Sequence, residues 1–118
     1  MNNTVEAKYW HKVYTDFKTI ATFIVVLDSL LDGKAIPFKT QVDVVGKARD
    51  VKAGIMDEKS TIVFFTVNRF AIRRTFTSMV ETLISMKRRV PDDIKAGYDL
   101  FNMYTAALTL LDMKAAKA

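Results

Sequence analysis

At 118 residues, half of them hydrophobic, the chain fits one domain that buries roughly 65% of its unfolded surface without staples. It has no cysteine, which excludes disulfides, thiolate metal sites and a cysteine nucleophile together, and fits a reducing, cytoplasmic setting. Its net charge of +5 points toward acidic partners without naming one.

The opening MNNTVEAKYWHK lacks the basic-then-apolar order of a secretory leader. The longest apolar run, Ile20 to Leu31, is interrupted by Asp28 and Ser29 and falls short of the roughly 20 residues of a membrane span. No membrane association is expected.

A first helix is predicted from about Thr4 to Asp32. Trp10, Val13, Phe17, Ile20, Ile24, Leu27 and Leu31 alternate steps of three and four, which keeps them in one stripe on one face. Gly33, tolerant of positive φ, ends it.

Next, Ala35-Ile36-Pro37 is expected to be extended, because the residue before a proline avoids the helical region. Pro37 or Lys39 then opens a short helix carrying Val42, Val45, Ala48 and Val51 inward and stopping at Gly54. Val42, Val44 and Val45 also suit a short strand, and Gly46 weakens the helix by about 1 kcal/mol relative to alanine. The helix is preferred.

The third predicted element begins near Asp57 or Ser60, both good N-caps, and runs as one helix to the residues before Pro91. Ile62, Phe65, Arg69, Ile72, Phe76, Met79, Leu83, Met86 and Val90 form its stripe, over about 45 Å at 1.5 Å per residue. The segment Thr61–Val67 has strand-like composition, but the unbroken stripe favours helix. Pro91-Asp92-Asp93 stops this helix and caps the next, from about Asp93 to Lys114. Ile94, Gly97, Phe101, Tyr104, Leu108 and Leu111 are expected to face inward, and the tail after Lys114 to fray. The sequence therefore predicts a single all-α domain, an antiparallel bundle of about four helices.

Charge is uneven. Residues 1–32 carry −1, residues 33–56 +3, residues 57–90 +4 and residues 91–118 −1. A hairpin near residues 54–60 would bring Lys47 toward Arg69 and Arg73, so that Lys47, Arg49, Lys52, Arg69, Arg73 and Arg74 form a basic band. Such a band holds DNA or RNA phosphates with little sequence preference. Lys87, Arg88 and Arg89 are better explained as cations at a helix C-terminus, opposing its dipole.

Arg69 stands at a stripe position otherwise filled by apolar side chains. It needs a carboxylate, a phosphate or an exit to water. A pocket for a small phosphorylated ligand around it is one reading; a packed stem with its head at the stripe's edge is the plainer one.

The bases and aromatics between Lys8 and Tyr14 suit base stacking by composition. Helical geometry instead sends Trp10 and Val13 to the core and Lys8 and Lys12 to the opposite face. His11, the only histidine, is expected in solvent, and no Glu-x-x-His pair accompanies it. Asp28 and Asp32 share a face near a helix C-terminus, where a cation from another helix would balance them.

No nucleophile elbow, phosphate-binding loop or dinucleotide fingerprint occurs, so neither an enzyme nor a cofactor is expected. Between Thr61 and Ala71 the chain is apolar nearly all round. Val63, Val67 and Phe70 point away from the stripe and Phe64 to its side. A four-helix bundle encloses no helix completely, so this wall predicts a homo-oligomer or a protein partner. The leading expectation is an oligomeric, nucleic-acid-binding helical protein. The competing one is an assembly or interaction module working through Val63, Phe64, Val67 and Phe70.

Overall fold

The computed structural model describes residues 4–33 and 38–117, and among these it contains five helices and no strand. Ala35-Ile36-Pro37 and the last residue of the tail lie outside the described residues.

Helix α1, Thr4–Leu31, is built on the predicted stripe. Val13, Phe17, Ile20, Ile24, Leu27 and Leu31 are all buried, with Ala21 beside them. Asp32 and Gly33 both take positive φ, 47° and 72°, and turn the chain out of the helix. Trp10 departs from expectation: it is 39% exposed. The first turns of α1 extend past the helices that would cover them.

Helix α2, Lys39–Lys52, replaces the alternative strand. Its buried residues are Gln41, Val44, Val45, Ala48 and Val51, whereas Val42, predicted inward, is exposed. Two residues rotate a helix by about 200°, so Val44 and Val42 cannot both face the core. The valine chosen by packing is Val44. Gly54, at φ 76°, follows the helix where the sequence placed its stop.

The predicted long third helix is two helices, α3 (Glu58–Val67) and α4 (Arg69–Ser85), which makes the total five and not four. Asp57 caps α3, accepting a 2.7 Å hydrogen bond from the Ser60 amide, which holds its carboxyl below the usual carboxylate range. The break at Asn68 has a local cause. The Asn68 side-chain amide donates to the Phe64 carbonyl at 3.0 Å, and Arg69 Nη1 donates to the Thr66 carbonyl at 2.7 Å. The Phe64 carbonyl still accepts from the Asn68 backbone amide at 3.0 Å, so it is the Thr66 carbonyl that is given over to a side-chain donor.

Helix α4 also ends earlier than predicted. Lys87 adopts φ 58°; its amide donates to the Ile84 carbonyl and the Arg88 amide to the Leu83 carbonyl. That pairing is a Schellman-type stop with lysine in the place usually held by glycine. Helix α5, Asp92–Lys117, continues through the tail expected to fray.

Helix α1 touches all four others. Phe17 stacks on Phe65 at 4.9 Å and meets Phe101 edge-on at 6.1 Å and Tyr104 at 5.1 Å. Tyr104 donates to Asp16 at 2.6 Å; burial, then this bond to a carboxylate, pushes its phenol well above the ordinary range. Helices α1 and α5 run antiparallel. Gly97 makes room for Phe23 of α1: a Cβ there would fall inside contact distance of the Phe23 ring. The 51 × 32 × 27 Å envelope is elongated because the two long helices overrun their neighbours. Among the described residues no helix is long and apolar enough to cross a membrane.

Candidate interaction surfaces

The fold places α2 against α4, as a basic band requires, but it does not leave all six cations equivalent. Arg49 is committed to Asp28 on α1 through a 2.6 Å hydrogen-bonded ion pair. That is the cross-helix cation Asp28 needed at its unfavourable end of α1. Lys47 is exposed and shares a groove with Asp43, Asp50 and Ala71, so carboxylates dilute its charge. Lys52 is exposed at the end of α2. Arg73 and Arg74 are exposed on α4, and among the described residues neither pairs with a carboxylate.

Arg69 leaves the band altogether. Its side chain is only 11% exposed and donates to Asp112 at 2.5 Å, to Thr109 at 3.2 Å and to the Thr66 carbonyl. The partner its stripe position demanded is therefore a carboxylate on α5, and a phosphorylated ligand has no place at this guanidinium. Every nitrogen of the fork is used, which makes burial tolerable. Asp112 remains 67% exposed, so the pair ties α5 to the α3–α4 junction without a deeply buried anion.

The apolar wall is open. Val63, Val67 and Phe70 are 51%, 70% and 53% exposed. Phe64 is half-buried, edge-on to Phe65 at 5.7 Å, and turns toward the α2 groove. Two shallow apolar furrows meet at Val63. One is bounded by Trp10 and Ile62, the other by Phe64 and Val67. Trp10 therefore belongs to this surface, which the sequence reading assigned to the core. Its neighbour Tyr9 meets it edge-on at 5.1 Å.

A second exposed apolar cluster stands at one end of the molecule. Leu111, predicted inward, is exposed together with Leu110 and Met113. The antiparallel pairing of α5 with α1 puts these residues at the same end as Val5, Tyr9 and Trp10. The core stripe of α5, buried at Ile94, Phe101 and Thr105, runs beyond its own neighbours.

Two of the remaining cations perform structural work. Arg88 donates to the Leu30 carbonyl at 2.6 Å and so caps the C-terminus of α1. Arg89 pairs with Asp92 at 3.2 Å. These cations lie beyond the end of α4, which corrects their expected place in its last turn. His11 is exposed and lies 3.4 Å from Glu58. Among the described residues no three histidine, cysteine or carboxylate side chains gather as a metal site would need. Comparison of the chain with protein-family models, with curated proteins and with solved structures gives no match.

Proposed function

We propose that the chain is a non-enzymatic assembly module that associates with a second copy of itself through the apolar wall of α3 and the start of α4. The observation that carries the reading is the exposure of Val63, Val67 and Phe70 while Arg69, between them in sequence, is locked inward. Contiguous exposed apolar surface of this kind marks an interaction site. Glu58 and Lys59 lie beside the furrow at Trp10 and Val63. One acid and one base on the rim supply the self-complementary charges of a two-fold contact.

Light scattering after gel filtration tests it. The wild-type chain is expected to run as a dimer or larger species. Val63→Asp with Val67→Asp, both at exposed positions, should give a monomer with unchanged helical circular dichroism. A wild-type chain that stays monomeric at the highest attainable concentration would sink the reading.

The second reading, nucleic-acid binding through phosphates, is favoured by one observation, the exposed arginines 73 and 74 without carboxylate partners. Without Arg69, and with Arg49 engaged, the band reduces to Lys47, Lys52, Arg73 and Arg74. Anisotropy of labelled mixed-sequence DNA and RNA should then show log K falling against log salt with a slope of about −3 for four cations. Binding that ignores salt, or none at low salt, would discard this reading.

A further inference from the structure

The outward face of α4 continues from Phe70, the last residue of the wall, into a more polar surface. Phe70, Arg73, Arg74, Thr77 and Glu81 recur at helical spacing on one side, opposite the buried Ile72, Phe76 and Met79. With Phe38 before α2 and with Tyr98 and Asn102 on α5, they line an open groove of about 720 Å³. That size falls within the range of small-molecule sites.

Four features of the groove converge on one ligand chemistry. First, the two adjacent arginines have no carboxylate partner among the described residues, and Arg74 is steadied over the Phe38 ring at 5.0 Å. Paired guanidinium forks match the oxygens of a phosphate. Second, Phe70 has the Arg69 guanidinium 4.9 Å from its centroid, yet the ring stays half-exposed. Arg69 steadies it and leaves surface for a stacked base. Third, Asn102 Oδ1 is buried with no hydrogen-bond partner among the described residues. A buried acceptor of this kind calls for a donor, such as a base amino group supplies. Fourth, the Thr77 and Tyr98 hydroxyls, 2.6 Å apart, line the floor with further acceptors and donors.

The spacing agrees with the chemistry. Phe70 and the arginines stand three and four residues apart, which brings their side chains to about 5–6 Å at Cβ. One sugar bridges a base and its phosphate over a comparable reach. Glu81 closes the far end, about 10 Å along the axis from Arg74, so the phosphate belongs at the arginine end.

We propose that this groove binds a nucleotide, with its phosphate on Arg73 and Arg74 and its base on Phe70. The nucleotide comes either free or as one unit of a single strand. The site shares its two arginines with the phosphate-band reading and Phe70 with the self-association wall, but neither Val63 nor Val67.

Isothermal titration calorimetry at low salt tests it with three probes: adenosine 5′-monophosphate, inorganic phosphate and a short mixed-sequence single-stranded DNA. The monophosphate is expected to bind saturably and at least about ten-fold more tightly than phosphate. Arg73→Gln with Arg74→Gln should weaken it by at least about ten-fold. Phe70→Ala should erase the preference over inorganic phosphate. All three positions are exposed, and circular dichroism verifies that the variants fold. Tighter binding of the DNA, with the monophosphate competing, identifies a strand as the source; the reverse order identifies a free nucleotide. No saturable binding of either overturns the proposal, as does equal affinity for monophosphate and phosphate. A loss in Lys47→Gln with Lys52→Gln as large as in the arginine pair assigns the binding to the diffuse band, and also overturns it.

Discussion

Replacing Phe17 with alanine is expected to lower the unfolding free energy by about 3–5 kcal/mol. Domains of this kind have only about 5–15 kcal/mol in total, so the variant should stand near the edge of folding. The size follows from position. Phe17 is fully buried, and its ring meets Phe65, Phe101 and Tyr104, which belong to α3 and α5. Truncation removes three aromatic contacts and leaves a cavity that two different helices must collapse to fill. Urea denaturation followed by far-ultraviolet circular dichroism measures it. Val26→Ala, on the same helix but exposed, is the control and should stay within about 0.5 kcal/mol of wild type. Equal shifts for the two variants would show that the aromatic cluster does not hold the helices together.

The second large effect carries a sign that depends on its neighbour. Gly97→Ala in the wild-type chain should destabilise, because its methyl group enters the space of the Phe23 ring. Overpacking of this kind costs about 1–3 kcal/mol, and the better helix propensity of alanine returns at most about 1. In a Phe23→Ala background the collision is gone. There the same Gly97→Ala change should stabilise by up to about 1 kcal/mol. The double-mutant cycle therefore predicts strong non-additivity with a reversal of sign. Additive effects would mean that Phe23 swings clear without loss and that close approach is not why glycine stands at 97.

Much of the architecture was legible because burial and period agree. The stripe of α1 from Val13 to Leu31 predicts its buried face residue by residue. The stripe from Phe65 to Leu83 does the same across α3 and α4, including the odd arginine. The break at Asn68 was hidden for the same reason: the stripe keeps its phase there while the Arg69 side chain takes the Thr66 carbonyl. Val42 misled because hydrophobicity gives no rotation angle, and Gln41 took an inward place instead. Trp10 and Leu111 misled because a stripe does not show where neighbouring helices end.

The candidate surfaces were legible only as residue types. Charge counts brought Arg49 and Arg69 into the basic band, but their partners, Asp28 and Asp112, lie 21 and 43 residues away in sequence. No local pattern announces such pairs. The groove on α4 was equally hidden, since Phe38, Arg74 and Asn102 meet only through the packing of three helices.

The central place of α1 bears on how the chain is made. Helix α1 is made before the other four, and each of them then packs on it. Until α5 is complete, the nascent chain carries Phe17, Ile20, Ile24 and Leu27 on a face with part of its cover missing. No earlier stopping point encloses that face, so folding during synthesis has no finished intermediate to rest in. Until α5 packs, that exposed face must be kept from aggregating.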